Sequence, residues 1–141
     1  PDSISKVHFI RLQLMDKNGN VVSRNFYWGS KQYQQYMDLN LMPQVEIEGE
    51  ATISKSVEKS IISVQLHNES KQIGLMLRLK VKQLESGKRV LPAFYSDNYI
   101  PLVPGEKRSI TIEFDTKFLD GEKPALLIEG WNIRPQEISI R

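Results

Sequence analysis

The chain of 141 residues contains no cysteine. This absence excludes disulfide bonds, thiol catalysis and zinc–thiolate sites. Histidine is also scarce, and its two copies, His8 and His67, lie on separate predicted strands, so we predict no metal site and no cofactor. No serine stands in a nucleophile-elbow pattern, and there is no glycine-rich phosphate loop. We therefore expect no catalytic residue in this chain.

Clusters of basic residues and long apolar runs are missing as well. The chain has 19 lysines and arginines and 17 acidic residues, and the basic residues are scattered along it, which argues against a nucleic-acid partner. The longest apolar run, residues 125–128, is far shorter than the roughly 18 residues of a membrane span. The length of the whole chain, with 40% hydrophobic and 26% charged residues, predicts a single globular domain over residues 1–141.

Alternation of apolar and polar residues is the dominant pattern of the chain. Residues 6–16 and 21–28 alternate on either side of Asn18-Gly19, a strong β-hairpin signal. Residues 29–43 are irregular, and we interpret them as a long crossing with one or two helical turns. The other predicted strands are residues 45–53, 60–68, 74–84, 89–95, 110–114, 126–132 and 137–140. About eight or nine strands at this spacing predict an all-β fold, an immunoglobulin-like antiparallel β-sandwich.

The stretch over residues 91–108 contains the best candidate for a binding site. Ser96-Asp97-Asn98 favours a turn, and Pro104-Gly105 is typical of a type II turn. Aromatic rings stack on sugars while amides and carboxylates bind hydroxyl groups, so this composition suits a carbohydrate contact. The predicted contact residues are Tyr95, Asp97, Asn98 and Tyr99, with Trp28 and Trp131 as further candidates. The alternative is that the aromatic rings pack in the sandwich and the Asp-Asn pair caps a turn.

Paired carboxylates raise the alternative of a glycosidase site. Glu46, Glu48 and Glu50 share one face of a predicted strand, but no apolar surroundings prepare any of them for acid catalysis. Asn68-Glu69 resembles the acid/base pair of some glycosidases but lies in a predicted hairpin turn. We interpret the first group as a solvated strand face and the second as part of a turn.

Three segments carry a resemblance to a known family. Residues 94–106 (FYSDNYIPLVPGE) resemble a stretch near the C-terminal end of family 2 glycoside hydrolases of the β-mannosidase and exo-β-D-glucosaminidase type. Residues 9–28, ending in Asn-Phe-Tyr-Trp, are similar to the hairpin that opens the same module. Residues 36–43 (YMDLNLMP) match a further segment, and residues 129–132 (EGWN) fit its last strands. The segment over residues 29–36 is shorter than the family's loop.

The resemblance implies an immunoglobulin-like accessory domain that follows a catalytic barrel. The family's catalytic glutamates belong to that barrel and have no counterpart here. We therefore expect a C-terminal piece of a larger glycosidase, β-mannosidase-like before glucosaminidase-like, from a periplasmic or extracellular bacterial enzyme. Its partners would be the other domains of the parent enzyme, with residues 95–99 at the rim of the active site, and an oligosaccharide. The alternative is an independent carbohydrate-binding or adhesion module.

Overall fold

Ten β-strands form in the part of the chain that the computed structural model describes, which is residues 5–141 without the side chain of Gln34. The strands are β1 (Val7–Met15), β2 (Val21–Ser30), β3 (Glu48–Lys55), β4 (Lys59–His67), β5 (Gly74–Gln83), β6 (Ala93–Tyr95), β7 (Ile100–Leu102), β8 (Lys107–Asp115), β9 (Pro124–Glu129) and β10 (Gln136–Ile138). Two 3₁₀ helices cover Tyr33–Leu41 and Thr116–Leu119. Neither of these described helices has the length and apolarity needed to span a bilayer.

The chain divides into two compact units, residues 1–42 and 43–141. In the first unit, β1 and β2 pair as an antiparallel hairpin followed by the longer 3₁₀ helix. The Asp16 carboxylate holds the turn by accepting hydrogen bonds from the backbone N–H groups of Asn18 and Asn20, each at 2.8 Å. Gly19 adopts a φ of 83°, which favours glycine. The hairpin predicted around Asn18-Gly19 is confirmed.

The second unit contains two four-stranded sheets. One has the strand order β3-β4-β8-β6 and the other β10-β9-β5-β7, and every pairing within them is antiparallel. The orders β3-β4-β8-β6 and β5-β9-β10 reproduce the ABED and CFG sheets of immunoglobulin domains, with β7 added beside β5. The predicted immunoglobulin-like fold is confirmed, with ten strands instead of eight or nine.

The two sheets bury their alternating apolar side chains in one core. On β4, β5 and β8 every second residue is buried, as the alternation in the sequence predicts. On these three strands, the side chains that belong to the core are Ile62, Val64 and Leu66 on β4, Leu77, Leu79 and Val81 on β5, and Ile110, Ile112 and Phe114 on β8.

The structure corrects the predicted path after β5. Residues 89–95 were expected to form one strand returning along β5, but only Arg89 bridges to Lys82 there. The chain then crosses to the other sheet, where β6 pairs with β8. It crosses back as β7, which the sequence did not predict because Pro101 occupies the middle of its three residues. Proline lacks an N–H donor and is accepted in a strand only at an edge, as here.

The buried amide of Asn132 joins three segments of the second unit. Its Oδ1 accepts a hydrogen bond from the Leu75 N–H at 2.8 Å, while its Nδ2 donates to the carbonyl oxygens of Pro43 at 2.9 Å and Ile73 at 2.8 Å. Asn132 is 1% exposed, so water cannot replace these bonds. The amide therefore fixes where β5 begins and where the segment after β9 runs.

We expect Asn132→Leu to reduce the free energy of unfolding by about 2–4 kcal/mol, because the buried Leu75 N–H and two partly buried carbonyl groups lose their partner. Asn25→Ala, at an exposed position of β2, is the control and should change stability by less than about 0.5 kcal/mol. Urea denaturation of both variants measures the effect. Equal stabilities for the two variants would contradict this role of Asn132.

Candidate functional site

The loop between β6 and β7 completes the free edge of β5. Beyond the short strand β7, the backbone of β5 has no neighbouring strand on this side. The Asn98 side chain takes the place of a strand, because its Oδ1 accepts from the Leu79 N–H at 2.8 Å and its Nδ2 donates to the Leu79 carbonyl at 3.2 Å. An amide side chain thus supplies the pair of hydrogen bonds that one strand residue would give.

Tyr95 provides a further hydrogen-bond partner along this edge, at Val81. Its half-buried ring packs against the core, and its hydroxyl accepts a hydrogen bond from the Val81 N–H at 3.3 Å. Burial raises the pKa of Tyr95 above the usual tyrosine value, which keeps the hydroxyl neutral. The Val81 carbonyl accepts from the Val90 N–H at 3.0 Å. The polar groups of Tyr95 and Asn98 are therefore engaged with the backbone of β5.

Asp97 and Ser96 attach the same loop to β8 and to the turn before it. Asp97 Oδ2 lies 3.1 Å from Arg108 Nη1, and Arg108 Nη2 lies 2.7 Å from Glu106 Oε1. The Ser96 hydroxyl accepts from the Thr111 N–H at 2.9 Å. The loop thus holds one sheet through Ser96 and Asp97 and the other through Asn98.

The Pro104-Gly105 turn at the end of this motif has the predicted geometry. Gly105 has a φ of 74°, and the Glu106 N–H donates to the Val103 carbonyl at 3.0 Å. Both features belong to a type II turn. Glu106 also accepts from the Val103 N–H at 3.1 Å through its second carboxylate oxygen, so its side chain links the turn to Arg108.

Tyr99 is, with Asp97, one of the two exposed residues among the four predicted contact residues. Its ring is 56% exposed, and its backbone has a φ of 56°, a strained conformation for a residue with a side chain. The Arg78 guanidinium lies 5.6 Å from the ring centroid, and its Nη1 donates to the Tyr99 hydroxyl at 3.2 Å. This hydrogen bond lowers the pKa of Tyr99. Arg78 is itself paired with Glu129, which lies 2.7 Å from Lys80 Nζ.

The four predicted residues thus lie at the end of β6 and in the loop that follows it, but their side chains point in different directions. Tyr95 and Asn98 point their polar groups to β5, whereas Asp97 and Tyr99 remain exposed. Arg78 and Arg108, which hold the two exposed side chains, were not among the sequence candidates. The alternation of apolar and polar residues on β5 placed Arg78 on the outward face of the strand. The proximity of Arg78 to Tyr99 depends on β7, which the sequence did not predict.

The candidate carboxylates lie elsewhere on the second unit. Glu46, Glu48 and Glu50 line a shallow groove of about 680 Å³ with Glu69 and Glu137. Glu46 and Glu48 are 67% and 64% exposed, so they lack the apolar surroundings of a general acid. Asn68 is fully buried, and its Nδ2 donates to the carbonyl oxygens of Gln72 and Leu102. The interpretation of Asn68-Glu69 as part of a turn agrees with these contacts.

His67 has two carboxylates as neighbours that the sequence did not predict. Its Nδ1 lies 3.2 Å from Glu69 Oε1 and 3.7 Å from Glu48 Oε2. Glu48 is opposite His67 because of the register of β3 and β4, and this register was not assigned from the sequence. Both carboxylates are at least 60% exposed and pair with His67 when the imidazole is protonated.

We expect Asn98→Ala to reduce the free energy of unfolding by about 2–3 kcal/mol, because the N–H and C=O groups of Leu79 lose their partner at a largely buried edge. Asp97→Ala removes a half-exposed ion pair with Arg108 and an exposed hydrogen bond from the Asn98 N–H, and should cost about 1 kcal/mol or less. Amide hydrogen exchange at Leu79 should accelerate in Asn98→Ala and stay slow in Asp97→Ala. Unchanged exchange at Leu79 in Asn98→Ala would contradict the role of Asn98 in closing the edge.

Comparison with known proteins places these features in a family. The chain is 29% identical to an exo-β-D-glucosaminidase of Streptomyces avermitilis over 155 residues, covering 96% of this chain and 17% of that protein. It is 26% identical to a mannosylglycoprotein endo-β-mannosidase of Lilium longiflorum, of which it covers 20%. The chain therefore spans about one-sixth to one-fifth of the length of these relatives.

A solved structure has the same fold. The exo-chitosanase CsxA of Amycolatopsis orientalis superposes with a TM-score of 0.86 at 27% identity, over 96% of this chain and 18% of CsxA. Residues 25–133 match the family described as the exo-β-D-glucosaminidase Ig-fold domain. The match covers most of the chain, including the whole loop between β6 and β7. The chain therefore belongs to the family of exo-β-D-glucosaminidase Ig-fold domains.

Proposed function

We propose that this chain is a non-catalytic accessory domain of a larger glycoside hydrolase, docked on the other domains of that enzyme. One observation carries the proposal: 96% of the chain aligns with only 17% of an exo-β-D-glucosaminidase. The parent enzyme would be glucosaminidase-like before mannosidase-like, the reverse of the order expected from the sequence. Both the family match and the Streptomyces relative support this order. That residues 1–141 act as one domain is part of the proposal.

The described residues support a role without catalysis. A retaining or inverting glycosidase needs two carboxyl groups on opposite sides of the scissile bond, one of them in apolar surroundings. The carboxylates in the groove beside β3 are largely exposed to water. The substrate of the parent enzyme, a glycoside of β-linked glucosamine, would therefore be cleaved by residues outside this chain.

A contact at the rim of the active site is the finer part of the proposal. Of the four residues predicted to contact carbohydrate, Tyr99 and Asp97 are exposed, and both lie in the loop along the free edge of β5. Tyr99 offers an exposed ring that Arg78 holds in place, and a sugar ring stacks on an exposed aromatic ring. Tyr95 and Asn98 would act indirectly, by fixing the loop on β5.

The isolated chain should leave p-nitrophenyl β-D-glucosaminide and chitosan oligosaccharides intact, whereas the full-length polypeptide should hydrolyse both. The reason is that the proposal assigns no reacting group to this chain. Release of p-nitrophenol and of glucosamine measures the two reactions. Hydrolysis by the isolated chain would overturn the accessory role, and a full-length polypeptide inactive on every β-glucosaminide and β-mannoside would overturn the assigned parent activity.

In the full-length enzyme, Tyr99→Ala should lower kcat/KM for chitosan oligosaccharides about 3- to 10-fold, corresponding to the loss of one stacking contact of about 1 kcal/mol. Phe94→Ala is the matched control, because Phe94 is another exposed aromatic residue near the loop, on β6. It should leave kcat/KM unchanged.

Two outcomes would contradict the role at the rim. Equal effects of both substitutions would show that Tyr99 has no specific contact. Saturable oligosaccharide binding by the isolated chain, lost in Tyr99→Ala, would instead favour an independent carbohydrate-binding module.

A further inference from the structure

The hairpin of the first unit has no core of its own. Among the described residues of this unit, none is fully buried, and the 3₁₀ helix after the hairpin also exposes Tyr33, Met37 and Leu41. Ten of the seventeen large hydrophobic side chains that are exposed in the described chain belong to this unit. A two-stranded sheet is marginally stable in water, so a covering surface is required to stabilise it.

The register of β1 and β2 separates two different faces. Ile10 pairs with Tyr27, Leu12 with Asn25 and Leu14 with Ser23, which places these side chains on one face. We define Ile10, Leu12, Leu14 and Tyr27 as the aliphatic face of the hairpin. Their side chains are between 47% and 63% exposed. No charged residue occurs among these three pairs.

The opposite face is chemically distinct. Phe9 and Phe26 stack there with ring centroids 5.6 Å apart, and both are half-buried. Arg11 and Arg24 share this face with them. The aliphatic face is therefore the uncharged side of the hairpin, and the described residues of the first unit leave it about half exposed. A surface of this kind marks a contact with another apolar surface.

We propose that the aliphatic face docks on an uncharged apolar patch of another domain of the same polypeptide. This inference rests on the proposed function and names the surface through which the accessory domain would be attached. More than four-fifths of the length of the relatives CsxA and the Streptomyces enzyme lies outside the aligned chain, so ample polypeptide is present to provide the patch. The lack of charge disfavours a polyelectrolyte, and three aliphatic side chains suit a sugar poorly.

Hydrogen exchange of the β1 and β2 amides tests this inference in the full-length polypeptide and in the 141-residue chain. We expect exchange in the hairpin to be at least about tenfold slower in the full-length polypeptide, because docking adds to the free energy of opening. Leu12→Asp in the full-length polypeptide should return these amides to the rate seen in the 141-residue chain.

Gln13→Asp is the matched control. It places the same residue at the neighbouring exposed position of β1, on the opposite face and across from Arg24. It should keep the slow exchange of the full-length polypeptide. In the 141-residue chain, both substitutions should leave the unfolding temperature and the exchange of β4 and β5 unchanged.

Three results would overturn the inference. Equally slow hairpin exchange in both forms would mean that the aliphatic face is covered by residues of this chain. Equally fast exchange in both would mean that nothing covers it. Protection that rises with the concentration of the 141-residue chain would identify a second copy as the occupant. None of these results changes which form hydrolyses glucosaminides, so the proposed function is tested separately by activity.

Discussion

The sandwich depends on hydrogen-bond partners for the backbone N–H and C=O groups at both edges of β5. One edge pairs with β9 along six residues, and the other has only the three-residue strand β7. A buried backbone without hydrogen-bond partners would cost about 1–3 kcal/mol for each group. Asn98 and Tyr95 prevent this cost by binding Leu79 and Val81. The loop that carries them consequently has little freedom, and this restraint determines where Asp97 and Tyr99 project.

The sequence predicted the parts of the fold that depend on local pattern. The period of two on β4, β5 and β8 identified which residues are buried, and Asn18-Gly19 and Pro104-Gly105 identified two turns. The path of residues 89–102 was not predictable in this way. Whether a three-residue segment joins one sheet or the other depends on which edge is unoccupied, and that is a property of the assembled sandwich.

Local sequence patterns were likewise insufficient to predict the side-chain contacts of the candidate site. Tyr, Asp and Asn in one turn fit a sugar site and a structural turn equally well by composition. The alternative that the aromatic rings pack in the sandwich accounts for Tyr95, whereas the Asn98 amide binds the backbone of β5 and Tyr99 is left as the exposed ring. Arg78 is 21 residues from Tyr99 in sequence, and the pairing of Leu77 with Ile100 and the hydrogen bonds between Asn98 and Leu79 bring the two together. No local motif encodes that distance.

The two units of the chain share one sequence pattern but bury it differently. Ile62, Val64 and Leu66 alternate on β4 as Ile10, Leu12 and Leu14 do on β1, yet the first three are fully buried and the second three are about half exposed. The difference arises from the number of strands, since two packed four-stranded sheets enclose a core and a single hairpin cannot. Alternation therefore indicates that a face needs cover, whereas the identity of the cover depends on what lies opposite.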